Sequence, residues 1–394
     1  MNINYINNRI IVLYIIIINY HLAKMGLLEK IKELEREMER TQKNKATEHH
    51  FGLMKARMAK MRSQLLEPPK KSSGTGDGFD VVKHGHARVA MLGFPSVGKS
   101  TILSAFTETQ SEINERDFTT LTCIPGVLKY NNCKIQLLDL PGIIEGASEG
   151  KGKGRQVIAC AKSSDLILIV LDASKYEDQK QKILHELDVV GIRLNKDKPN
   201  IIIKHTAGGG IQLMSPYKLT KVTQDDVRIV CHEYRLLNAQ ITFKDDYDID
   251  DLIDTLEGNR RYVRGLFVYN KIDMISMEEV DQLAHQPDSV VLSANKGYGN
   301  EYFLEKLWDY LGLVRVYTKK KGEQPDFEGP IVLRKHKGGF SVKAACSSIH
   351  RDLVNNFKEA IVWGRSVKYS PQKCGLNHIL CDEDVLQILK KSGK

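Results

Sequence analysis

Apolar runs of strand length recur along the chain, and each ends at a small or polar residue. Arg88-Val89-Ala90-Met91-Leu92 runs into Gly93, Ile135-Gln136-Leu137-Leu138 into Asp139, and Leu166 to Leu171 into Asp172. Leu266-Phe267-Val268-Tyr269 then runs into Asn270, and Val290-Val291-Leu292 into Ser293. Such unbroken apolar runs are what strands buried on both faces of a parallel sheet require. Ile102-Leu103-Ser104-Ala105-Phe106 and Glu301 to Leu311 have helical spacing instead. Strands alternating with helices predict an α/β fold, a doubly wound and mostly parallel sheet.

Before that core, Leu27, Leu28, Ile31, Leu34 and Met38 recur among Lys and Glu as on an amphipathic helix. Leu53, Met54, Met58, Met61 and Leu65 do so against Lys55, Arg57, Lys60 and Arg62. The two runs predict a helical hairpin, whose basic face is either a solvated surface or a contact for RNA or a partner helix. Pro68 to Gly78 has linker composition. Between Asp172 and Leu266 the gap exceeds what one crossover helix needs, so an insertion is expected. Its pattern predicts a helix to about Asn195, strands at Asn200–Ile203 and Gly210–Met214, a helix near Asp225–Leu237 and a strand at Gln240–Phe243. The last stretch reads as strands at Val314–Lys321, Gly329–Leu333, Ala360–Gly364 and Val385–Leu389 around a helix at Ile349–Phe357, a small α+β module.

Residues 1–24 differ in character: Asn, Ile and Tyr make up 16 of the 24, and the apolar run Ile10–Ile18 is too short to span a bilayer, which needs about 20 residues. A signal-peptide core and an extension upstream of a start at Met25 are the two remaining readings, and the second is favoured. No integral membrane association is expected. The net charge of +9 suits a polyanionic partner such as RNA or the ribosome as well as a plain basic surface. Seven Cys, an odd number with no CxxC pair, point to a reducing compartment. Cys374-x3-His378-x2-Cys381 lacks a fourth zinc ligand at any usual spacing.

The candidate chemistry lies where the strands end. Gly93-Phe94-Pro95-Ser96-Val97-Gly98-Lys99-Ser100, followed by Thr101, matches the glycine-rich phosphate loop in its strand-loop-helix setting. Glycines let backbone N–H groups converge on a phosphate at a helix N-terminus. Lys99 would reach the β- and γ-phosphates, and Ser100 would offer its hydroxyl to Mg²⁺. Asp139, followed by Gly142, stands where a metal-linked carboxylate and a γ-phosphate-sensing N–H are wanted. Asn270-Lys271-Ile272-Asp273 ends a further strand; the Asp273 carboxylate can accept from both guanine N1–H and its 2-amino group, a donor pair adenine lacks. Ser293 and Ala294 are in order to set a backbone N–H near the guanine carbonyl. The nucleotide is therefore expected to be GTP.

Thr119 and Thr120 both lie where a threonine could reach Mg²⁺ and the γ-phosphate, and the sequence does not choose between them; Thr120 is carried forward. After Gly142, Ile143 and Ile144 occupy the region where small GTPases place a water-orienting Gln. Turnover is then expected to be slow, on the order of 10⁻³ s⁻¹ or less. The missing charge would come from K⁺, from Lys153 or Arg155, or from a partner.

Thr41–Thr47, GFPSVGKST from Gly93, FTTLTCIPGV from Phe118, IQLLDLPGIIEGA from Ile135, VYNKID from Val268 and VWGRSVKYSPQK from Val362 together resemble the developmentally regulated GTP-binding proteins, a branch of the Obg-like GTPases. FTTLTCIPGV and the GGGI segment are closer to the second of the two eukaryotic branches. The resemblance implies a P-loop G domain of Obg type, an N-terminal helical element, a small inserted α/β domain and a C-terminal TGS domain of β-grasp fold. It also implies a cytoplasmic role at the ribosome with a family-specific regulatory protein as partner. Ile143 matches the hydrophobic replacement of the catalytic Gln in this class; Ser96 replaces the Asn that ligates K⁺ in some members. The expected division is 1–24 outside the fold, 25–67 hairpin, 68–86 linker, 87–174 with 245–312 G domain, 175–244 insertion and 313–392 TGS domain. A GTP-stabilised scaffold with negligible turnover is the alternative; ATP hydrolysis is disfavoured by Asp273.

Overall fold

The computed structural model describes residues 25–42, 44, 47–66, 85–107, 124–140, 159–334 and 339–391. Two helices open the chain, α1 (25–40) and α2 (Glu48–Leu66). The nucleotide core follows: β1 (Ala87–Leu92), α3 (Lys99–Phe106), β2 (Ile124–Tyr130), β3 (Cys133–Asp139), α4 (described over 159–163) and β4 (Leu166–Asp172). Next come α5 (Tyr176–Val190), β5 (Ile192–Leu194), β6 (Ile201–His205), β7 (Ile211–Met214), α6 (Gln224–Glu233), β8 (Ala239–Phe243) and α7 (Ile249–Glu257). Then β9 (Arg261–Asn270), α8 (Met277–Ala284), β10 (Ser289–Val291) and α9 (Asn300–Leu311) return to the core. The chain ends with β11 (Leu313–Thr318), β12 (Asp326–Arg334), α10 (Val342–Ile349), α11 (Asp352–Asn355), β13 (Phe357–Trp363), β14 (Gln372–Cys374) and β15 (Asp384–Lys390). The described residues group into two compact units, one drawn from within Met1–Phe79, Ile143–Lys162 and Gln181–Val263, the other from within Asp80–Gly142, Ser163–Lys180 and Arg264–Lys394.

In the second unit the strand order is β10-β9-β4-β1-β3-β2, parallel throughout except for the antiparallel β2–β3 pair. The apolar runs explain this: Leu166 to Leu171 are all fully buried, as a central parallel strand must be. The register sets Met91 opposite Asp139, Leu92 opposite Ile169 and Asp172 opposite Asn270. The residues that follow the strands therefore share one carboxyl edge. Because the chain leaves β1 for β3 on one side and later returns to β4 on the other, this is the switch point where α/β sheets bind ligands.

In the first unit, β6-β8-β7 form a three-stranded sheet, and α2 shares a core with the inserted elements. Ala56 and Ala59 lie with Val227, Val230, Ile241, Phe243 and Leu252, small side chains that let the helix approach α6 and α7 closely. The expected basic face is partly exposed and ion-paired within the same unit. Lys55 Nζ lies 2.6 Å from Asp250 Oδ2, Arg57 Nε 3.2 Å from Glu233 Oε2, Lys60 Nζ donates to the Glu233 carbonyl at 3.0 Å, and Arg62 meets Glu35 at 2.7 Å. The expected helix to Asn195 ends at Val190, because Gly191 turns left-handed (φ 82) and releases the chain into β5.

The final module is a five-stranded sheet in the order β12-β11-β15-β13-β14 with α10 packed on one face through Val342, Ala345 and Cys346. The helix expected at Ile349–Phe357 is met only by the short α11 (Asp352–Asn355), and the longer α10 precedes it. Ser341 Oγ caps α10 by accepting the Ala344 N–H at 3.2 Å, the backbone is extended again at His350, and Phe357 begins β13. Leu313 belongs to the nucleotide core, Arg334 pairs with Asp165 at 3.2 Å, and the Arg315 guanidinium lies 5.2 Å from the Trp308 ring. Among the described residues no helix is long and apolar enough to cross a membrane.

Candidate nucleotide-binding site

Gly93 passes so close to β4 that a Cβ there would sit 2.4 Å from the Val170 carbonyl oxygen. Ser96 (φ 63) and Gly98 (φ 97) both take the left-handed conformation that curls the loop. Gly98 is irreplaceable on a second count, since its Cβ would lie 2.2 Å from Asn270 Nδ2. The curl ends in α3, whose first residues are Lys99, Ser100 and Thr101. Pro95 and Ser96 are exposed at the tip, Val97 is buried, and Phe94 packs on the core beneath.

Lys99 Nζ donates to the carbonyls of Gly93 and Phe94, both at 3.0 Å. Burial pulls the ammonium below its ordinary pKa, and Asp139 opposes that pull. Ser100 Oγ donates to Asp139 Oδ2 at 2.9 Å. Asp139 is 9% exposed, and its Oδ1 is buried with no hydrogen-bond partner among the described residues. A hydroxyl and a carboxylate with a spare buried oxygen form an all-oxygen donor set that fits Mg²⁺.

The candidate base-recognition residues are tied to this loop. Asn270, 3% exposed, donates from Nδ2 to the Val97 carbonyl at 2.8 Å and accepts the Ala294 N–H on Oδ1 at 3.1 Å. Its amide thus staples the phosphate loop to the Ser293-Ala294 turn. The Ala294 N–H that the sequence suggested for the guanine carbonyl is, in this structure, donated to Asn270. Ser293 Oγ donates to Asp273 Oδ1 at 2.6 Å, orienting a carboxylate that is otherwise exposed. Lys271 stands in the left-handed region (φ 65) with Nζ 2.7 Å from Asp172 Oδ2. Burial works to raise the Asp172 pKa, but hydrogen bonds from Lys271 and Ser174 outweigh it and hold the carboxyl below its ordinary value. Asp172 was missed as a site residue. The signal was present, since it ends a buried strand in an Asp just as Asp139 does.

Gly93 to Thr101, Asp139, Asn270, Lys271, Asp273, Ser293 and Ala294 therefore form one connected constellation. Thr119, Thr120, Gly142, Ile143, Ile144, Lys153 and Arg155 lie outside the described residues. A phosphate loop at the switch point of a parallel sheet, with an Asn-Lys-x-Asp loop stapled to it, defines a P-loop GTP-binding domain.

Comparison with known proteins agrees. The family model described as "50S ribosome-binding GTPase" matches residues 88–205, the one described as the C-terminal region of that domain matches 208–313, and the TGS domain model matches 314–390. The chain is 57% identical over 367 residues to human developmentally-regulated GTP-binding protein 2, covering 93% of this chain and 100% of that one. It is 56% identical over 367 residues to developmentally-regulated G-protein 2 of Arabidopsis thaliana, covering 93% and 92%. To G-protein 1 of the same plant it is 55% identical over 370 residues, covering 94% and 93%. The chain belongs to the developmentally regulated GTP-binding protein family, with a GTPase domain and a C-terminal TGS domain.

Proposed function

We propose that this chain is a slow GTPase switch of the translation apparatus, cytoplasmic, and bound by a family-specific regulatory protein. The observation that carries the GTPase reading is the Ser100–Asp139 pair at 2.9 Å beside an unpartnered buried Asp139 oxygen, because that set fits Mg²⁺ at the end of a phosphate loop. Bound there, Mg²⁺ would neutralise charge on the β- and γ-phosphates. Lys99 would exchange its two loop carbonyls for phosphate oxygens, and Thr120 or Thr119 with Gly142 would complete the γ-phosphate contacts. Asp273, held by Ser293, would select guanine.

The ribosomal part rests on the description of the matched family and on charge. From Val314 to Lys391 there are 15 Lys and Arg against 8 Asp and Glu, so most of the chain's excess positive charge sits in the TGS module, as contact with RNA phosphates would favour. We further propose that α2 and the insertion form one structural domain, which moves α7 from the G domain expected by sequence to the insertion. Ile143 and Ile144 in place of a Gln support slow turnover and keep a second reading open, a GTP-stabilised scaffold.

Single-turnover GTP hydrolysis by the full chain, in matched K⁺ and Na⁺ buffers with and without ribosomes, tests the proposal. Slow hydrolysis accelerated by ribosomes is expected. Acceleration by K⁺ alone would put the missing charge on a cation despite Ser96, and bound GTP without turnover under any condition would favour the scaffold.

A further inference from the structure

Asp172 is held in place from three directions. It pairs with Asn270 in the β4–β9 ladder, its N–H donates to Gln179 Oε1 at 3.1 Å, and its Oδ1 accepts from the Ser174 N–H at 3.1 Å and the Ser174 hydroxyl at 2.7 Å. With Oδ1 committed to that turn, Oδ2 is aimed at the Lys271 ammonium, 2.7 Å away. The pair is sheltered: the side chains of Asp172 and Lys271 are 15% and 33% exposed.

Lys271 gains more from this than an ordinary surface lysine would. Its backbone is left-handed, a conformation that costs a non-glycine residue about 1–3 kcal/mol and persists only where the surroundings impose it. Its four-carbon side chain would otherwise keep its rotamer freedom. On one side Asn270 staples the phosphate loop, and on the other Asp273 is oriented by Ser293. A fixed ammonium at Lys271 therefore holds the segment joining the two groups that define the base site.

We propose that Asp172 is a positioning residue for the guanine site, which by holding Lys271 sets how slowly a bound guanine nucleotide is released. The proposal rests on the reading of this site as a guanine-nucleotide site. A purely structural role, capping the turn through Ser174, is the competing account. Asp172→Asn separates the two, because the amide oxygen can still accept from Ser174 while the charge facing Lys271 is gone.

The test is the dissociation rate of fluorescent mant-GDP from the full chain, by stopped flow against excess GDP. Asp172→Asn should accelerate release about tenfold, the scale of one charge-assisted hydrogen bond. Lys271→Met should do the same, and the double variant should release no faster than Lys271→Met alone. The unfolding midpoint of nucleotide-free Asp172→Asn should stay within about 2 °C of the parent. Release at the parental rate in Asp172→Asn, or a double-variant acceleration equal to the product of the singles, overturns the proposal. If Asp172→Asn does not fold, Ser174→Ala loosens the same carboxylate and should accelerate release about threefold, with an unchanged rate overturning the proposal. A parent that binds no GDP defeats the site reading and the proposal together, whereas acceleration by Lys271→Met with Asp172→Asn silent defeats the proposal alone.

Discussion

The nucleotide site and the α2–insertion core each bury an aspartate, and treat it in opposite ways. In the core, Asp254 is 5% exposed and fully engaged: Arg193 donates to it at 2.7 and 2.9 Å and Arg260 at 3.0 Å, while Arg193 also pairs with Asp188. At the nucleotide site, Asp139 Oδ1 has no partner among the described residues, and Lys99 faces backbone carbonyls. Satisfied groups hold a structure together; under-satisfied ones are kept where a ligand completes them.

The contrast is broken most severely at Gly98. Gly98→Ala adds a clash with Asn270 to left-handed strain, each costing about 1–3 kcal/mol, so the Kd for GDP measured by calorimetry should rise roughly 100-fold or more. In the other region, Arg193→Met leaves Asp254 under-paired and should destabilise the fold by about 3 kcal/mol in urea unfolding, with GDP affinity of the folded protein unchanged. Asp273→Asn turns an acceptor into a donor and should move preference from GTP to XTP by about 100-fold in competition binding, with no change in unfolding midpoint beyond about 2 °C. The smallest effect concerns pH. The Asp172 carboxyl is depressed when folded, so its stabilisation is complete above the ordinary carboxylate pKa of about 4 and is lost as pH falls through the depressed value. Thermal unfolding of Asp172→Asn should accordingly show a shallower loss of stability below about pH 4 than the parent.

The legibility of the sequence follows the same division. Gly93 to Ser100, Asp139, Asn270 and Asp273 were legible as candidates because each lies at or just beyond the end of a buried strand, where the structure brings them together. The partner of α2 was not readable, since Ala56, Lys55 and Arg57 are explained by Val227, Asp250 and Glu233, far along the chain. Near Ile349 the expected helix is cut to Asp352–Asn355, and the longer α10 starts earlier, at the capping Ser341. The ties of the buried Asn270 amide to Val97 and Ala294 were not legible, since they join residues far apart in the chain. Asp172 was visible as a strand end, but its tie to Lys271 depends on the parallel pairing of β4 with β9.

Asp139, with a buried oxygen that lacks a partner among the described residues, is expected to serve a ligand at a cost to the fold. Calorimetric GTP binding with and without Mg²⁺, paired with urea unfolding of the nucleotide-free protein, tests it in the parent and in Asp139→Asn. The Mg²⁺-dependent gain in GTP affinity should disappear in the variant while its unfolding free energy stays level or rises by about 1 kcal/mol, because a buried oxygen without a partner has lost its charge. A retained Mg²⁺ dependence, or a variant less stable by about 2 kcal/mol, would instead make Asp139 a structural carboxylate.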